Sequence, residues 1–91
     1  MQTRLKDDLL LIRLFPDENF YPSLEKACRD HRVKTAVVLC GIGQLKNFEL
    51  GYFKEKGNYT PQHFEKPHEL LCLEGNITLL EQEHKFHIHA T

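Results

Sequence analysis

Apolar residues along this chain come in short runs punctuated by turn residues, and most of the runs predict strands. Leu9 to Phe15 reads as a buried first strand ended by Pro16-Asp17. Asn19 is placed to cap a helix running to about Arg32. Pro22 is tolerated in that helix because a first-turn amide has no helical partner. Phe20, Leu24, Ala27 and Cys28 form one apolar stripe, and Glu25, Lys26, Arg29 and Asp30 cover the wet side. Val33 to Cys40 reads as a second buried strand, broken by Gly41-Ile42-Gly43.

From Leu45 the pattern alternates. Phe48, Leu50 and Tyr52 share one face while Asn47, Glu49 and Gly51 share the other, as in a half-exposed antiparallel strand. Lys54 to Asn58 is a charged turn with Gly57-Asn58 at its tip, followed by a weaker strand, Tyr59 to Phe64. Pro61 favours an edge position for that strand. Lys66-Pro67 turns the chain into Glu69 to Glu74, where Leu70, Leu71, Cys72 and Leu73 predict burial on both faces. Thr78 to Leu80 and a Glu81-Gln82-Glu83 turn then lead into a last strand, Lys85 to Thr91. The order is β-α-β followed by a meander of hairpins, an α+β class with one principal helix. A sheet face left bare in so small a chain invites oligomerisation.

The last strand carries the candidate chemistry. Residues two apart on a strand share a face, so His87 and His89 present two imidazoles side by side while Phe86, Ile88 and Ala90 point inward. Two parallel imidazoles are half of a transition-metal site, with zinc the first candidate ion. The competing use is a hydrogen-bonded pair at a strand or subunit contact. His31 lies where a helix C-terminus favours a cation. His63 and His84 show no partner in sequence, and His68 is ambiguous.

Length and charge narrow the classes. The 91 residues make one small domain, 1–91, with 41% hydrophobic and 27% charged residues. A formal net charge of −1 and singly scattered cations speak against autonomous binding of a phosphate backbone. Apolar runs such as Leu9 to Ile12 and Ala36 to Cys40 are too short to span a bilayer, and no signal-peptide layout is present. The expected location is cytoplasmic. Cys28, Cys40 and Cys72 match neither a disulfide framework nor a zinc ribbon, and read as buried thiols in a reducing compartment.

Gly41-Ile42-Gly43 fails as a dinucleotide fingerprint because Lys46 stands where a third glycine belongs; its glycines read as steric. Ser23, the only serine, starts a helix and is no nucleophile. Cys40 sits among apolar neighbours, not in the electropositive surroundings that activate a thiol.

The segments in order resemble the PPC domain, the plants-and-prokaryotes-conserved domain. The matching stretches begin with Leu11-Ile12-Arg13-Leu14 and Pro16-Asp17-Glu18, then the helix. Ala36-Val37-Val38, Gly41-Ile42-Gly43-Gln44-Leu45 and Leu50-Gly51-Tyr52-Phe53 follow. Pro67-His68-Glu69-Leu70-Leu71-Cys72-Leu73-Glu74-Gly75-Asn76-Ile77 is similar to the family's Pro-Phe-Glu-Ile-Leu-Ser-Leu-Ser-Gly-Asn-Ile stretch. Phe86-His87-Ile88-His89-Ala90-Thr91 is similar to its His-Leu-His-Val segment.

The resemblance implies a curved, mainly antiparallel sheet packed on a helix, and stand-alone members that assemble as homotrimers with clefts between subunits. It implies that His87 and His89 lie in such a cleft and contribute to a metal site that some members complete with a later Gly-Gly-His segment. That segment is absent here, so the chain is expected to be a truncated form of a longer protein. The family's DNA-binding label comes from an Arg-Gly-Arg-Pro AT-hook, which this sequence lacks. Two functions follow as expectations. One is a non-enzymatic regulatory module that binds itself and transcription-related proteins, or DNA through them. The other is a metal-dependent enzyme or small-molecule binder using His87 and His89, with a carboxylate such as Glu69 or Glu74 as base.

Overall fold

Two acidic residues between two five-residue runs set the first hairpin. Strands β1 (Gln2–Lys6) and β2 (Leu9–Arg13) pair antiparallel with Lys6 opposite Leu9, and Asp7 takes the positive φ of 53° that the tight turn needs. The computed structural model describes the backbone of residues 1–91 and the side chains of all except 52–55 and 58–60. After the hairpin come helix α1 (Phe20–Asp30) and strands β3 (Thr35–Val38), β4 (Gly43–Leu45), β5 (Phe48–Glu55) and β6 (Asn58–Phe64). Strands β7 (His68–Leu70), β8 (Leu73–Leu80) and β9 (Glu83–Ala90) complete the chain. β1 pairs with β2, β4 with β7 and β5 with β6, each antiparallel, and β3, β8 and β9 form a three-stranded sheet in that order. The architecture is mostly antiparallel sheet with one helix among the described residues. That helix is too short to cross a membrane.

The chain divides into two compact units. The first holds Met1–Val37 and Asn76–His87. Its helix buries Ala27 and Cys28, two of the four residues of the predicted apolar stripe, and Ile77 of β8 is buried as well. Asn19 occupies the N-cap position, but its carbonyl accepts the amide of Ser23 and its side chain makes no cap bond. The C-terminus closes with a Schellman pattern. Arg32 sits in the left-handed region at φ 55°, and the Val33 amide donates to the Cys28 carbonyl at 2.8 Å. β8 turns into β9 through Glu81 and Gln82, both with positive φ (51° and 70°), as a type I′ hairpin turn requires.

The second unit holds Val38–Gly75 and Ile88–Thr91. Leu70 and Leu73 are buried there among the described residues. The predicted Glu69–Glu74 strand is divided at Leu71-Cys72, whose backbone bonds instead to Thr91: Leu71 N–H donates to the Thr91 carbonyl at 2.8 Å, and Thr91 N–H donates to the Cys72 carbonyl at 3.0 Å. Phe48 and Phe64 stack across β5 and β6 with ring centroids 5.2 Å apart. The predicted facing of Tyr52 lies outside the described side chains. Pro61 stands in β6, which pairs with β5 alone among the described residues.

Burial differs from the sequence expectation in β2, in β3 and at the break between β7 and β8. Leu9 (48%) and Leu11 (59%) of β2 and Val37 (70%) of β3 are exposed, so these apolar runs are covered on one face only. Leu71 is likewise exposed at 63%. Among the cysteines, Cys28 is buried and Cys72 half-buried, but Cys40 is exposed, contrary to the expected buried thiol.

Candidate functional site

β9 alternates along its whole length. Glu83, Lys85, His87 and His89 are exposed, and His84, Phe86, Ile88 and Ala90 are half-buried. Strand pleating therefore places His87 and His89 on the solvent side, as the two-residue spacing predicts. Phe86 packs toward the helix in the first unit, its ring 5.6 Å from that of Tyr21.

Two imidazoles are fewer than the three protein ligands of a catalytic zinc site or the four of a structural one. Among the described residues no group of three or more His, Cys, Asp and Glu side chains comes together to hold a metal ion. Glu69 of β7 and Glu74 of β8, the candidate bases, are both exposed and join no such group. A metal centre is therefore not complete within the described residues of one chain.

His31, His63, His68 and His84 have partners among the described residues. His84 is the one that sequence reading missed: its side chain is only 4% exposed. Its Nδ1 lies 2.9 Å from Glu25 Oε1 and its Nε2 donates to the Val33 carbonyl at 2.6 Å. The hydrogen bond to Glu25, then the one to Val33, raises the His84 pKa above its ordinary value. The same bond from His84 holds the Glu25 carboxyl below the usual carboxylate range, outweighing desolvation. Arg29 adds a 2.6 Å contact to the same Glu25 oxygen and donates to the Gln82 carbonyl at 3.0 Å. This network ties α1 to the β8–β9 turn.

His31 caps the helix and its Nε2 meets Thr3 Oγ1 at 2.8 Å, a tie to β1 beyond any dipole effect. His63 stands opposite Glu49 at 3.9 Å. His68 donates Nδ1–H to the Lys66 carbonyl at 2.8 Å, with its ring edge-on to Phe48 and Phe64.

The glycine turn is steric, as expected. A Cβ on Gly41 would lie 2.7 Å from Leu73 Cδ1, and Gly43 has a φ of 147°. Burial, then the nearby Glu25 charge, pushes the Cys28 thiol up, away from reactivity.

A family model, the Plants and Prokaryotes Conserved (PCC) domain, matches residues 1–91. Among solved structures, a plant- and prokaryote-conserved (PPC) protein from Pyrococcus horikoshii is similar, with 34% identity and a TM-score of 0.66. The match covers 76% of this chain and 48% of that one, so the chain matches about half the length of the archaeal protein. No curated protein gives a significant match.

Proposed function

Because the chain belongs to the Plants and Prokaryotes Conserved domain family, we propose that it works as a non-enzymatic, self-associating regulatory module. In this reading it is a homotrimer that contacts transcription-related proteins and reaches DNA through them. The observation that carries the reading is the set of large apolar side chains left in solvent. Within the second unit Leu39 is 71% exposed, Ile42 84% and Leu71 63%. Only five hydrophobic residues are buried among the described side chains, so association has much apolar surface to remove from water.

Charge supports an indirect route to DNA. The net charge is −1, and a domain gripping phosphates by itself needs several clustered cations to release counterions. An electrophoretic shift assay at physiological salt is expected to show no complex between the purified chain and duplex DNA. A tight complex would contradict the indirect route.

The exposed pair on β9 favours a second reading, in which His87 and His89 supply part of a zinc or similar site completed by ligands from another copy, at a cleft that takes a small molecule. Protein purified without added metal would then contain zinc or another divalent ion. His87→Ala and His89→Ala would each abolish it, because neutral imidazoles are the donors on this side. Metal-free protein that takes up no added zinc would remove this reading.

A further inference from the structure

Strand pairing assembles on the β1–β2 hairpin a chemistry that the sequence scatters. Directly paired residues of an antiparallel ladder share a face, and every second residue repeats it. Gln2 opposite Arg13, Arg4 opposite Leu11 and Lys6 opposite Leu9 therefore lie on one face. All six side chains are exposed. Three cations frame two leucines, and no carboxylate belongs to the face. Arg4, Lys6 and Arg13 make no ion pair among the described residues. Asp7 and Asp8 sit in the turn beyond Lys6, and at the Arg13 end the Glu18 carboxylate is taken up by the Met1 ammonium and the Phe15 amide. The Arg13 guanidinium lies 5.6 Å from the centre of the Phe15 ring, which restrains its position. A shallow depression of about 520 Å³ opens there, lined by Gln2, Arg4, Leu11 and Arg13 of this face together with Thr3 and Ile12 of the other.

We propose that this face docks an acidic segment of a partner protein, its carboxylates set against Arg4, Lys6 and Arg13 and an apolar side chain laid on Leu9 and Leu11. The partner class follows from the mixture. Cations that form no ion pair call for an anion, and exposed leucines between them call for an apolar group, which an acidic peptide supplies and a phosphate backbone does not. Three cations are also few beside the six to ten phosphate contacts of a typical DNA-binding surface. The inference rests on the reading of the chain as a partner-binding module and names the chemistry of one partner.

The test is fluorescence anisotropy with a labelled peptide in which glutamates flank a leucine, titrated with the full chain. Saturable binding is expected, weakened about tenfold by Arg4→Glu with Arg13→Glu, and weakened also by added salt. Leu11→Ser is expected to weaken it with little change in salt dependence, and a lysine-for-glutamate peptide is expected not to bind. These positions are exposed, and Arg4→Gln with Arg13→Gln serves as the milder pair should charge reversal disturb folding. Unaltered binding by the double variants, or a DNA duplex binding at the same salt more tightly than the peptide, would overturn the proposal. A chain that self-associates yet ignores the peptide would overturn this surface alone and leave the module reading standing.

Discussion

His84 is held through both ring nitrogens, at 2.9 Å from Glu25 and 2.6 Å from the Val33 carbonyl. A carbonyl only accepts, so Nε2 carries a proton, and the carboxylate at Nδ1 favours a second one. The raised His84 pKa fixes the sign of the pH effect. Stability from the charged ring is fully present below the ordinary value of 6.5 and is lost as pH climbs through the folded-state value. Glu25 works the other way. Its pKa is lowered from 4.5, so its contribution is present above that value and fades as pH falls. The stability that this pair adds is therefore expected to peak between 4.5 and 6.5. His84→Gln is expected to cost about 1–3 kcal/mol near pH 6 by denaturant unfolding, and to flatten the decline at higher pH. A variant that matches the parent in both stability and slope would show the ring to be idle. Sequence could not reveal this pair, because Glu25 lies 59 residues away and only the fold brings it to β9. His87 and His89 were legible for the opposite reason, since strand alternation is a local property.

At the scale of elements, the α1 stop is an informative compromise. Arg32 adopts φ 55°, a conformation that costs an L-residue and suits glycine. Arg32→Gly is expected to raise stability by about 0.5–1 kcal/mol while the Val33-to-Cys28 hydrogen bond persists, checked by chemical denaturation. A loss of stability would mean that the arginine side chain makes a contribution larger than its backbone strain. The helix itself was readable from its apolar stripe, since Ala27 and Cys28 are the residues it buries. β1 was not, because Gln2, Thr3 and Arg4 carry no apolar alternation and the strand is defined by pairing with β2. The break between β7 and β8 was hidden for a similar reason. Leu71 and Cys72 look like a continuous buried strand, yet their backbone groups bond to Thr91. β2 and β3 read as buried because apolar runs are ordinarily covered on both faces, and these are not.

At the scale of the whole molecule, that missing cover is the central physical fact. Ile42, Leu39, Val37 and Leu71 are each more than 60% exposed. Apolar surface costs about 25 cal/mol for each Å² held in water, a persistent drive toward association. Family membership and the similarity to the archaeal protein fix the fold class, and the bare apolar positions give the reason to expect copies to seal one another. The most direct measurement is sedimentation velocity of the purified chain at micromolar concentration. The account predicts one dominant species at three times the 10.7 kDa subunit mass, whereas a well-folded monomer persisting across that range would contradict it.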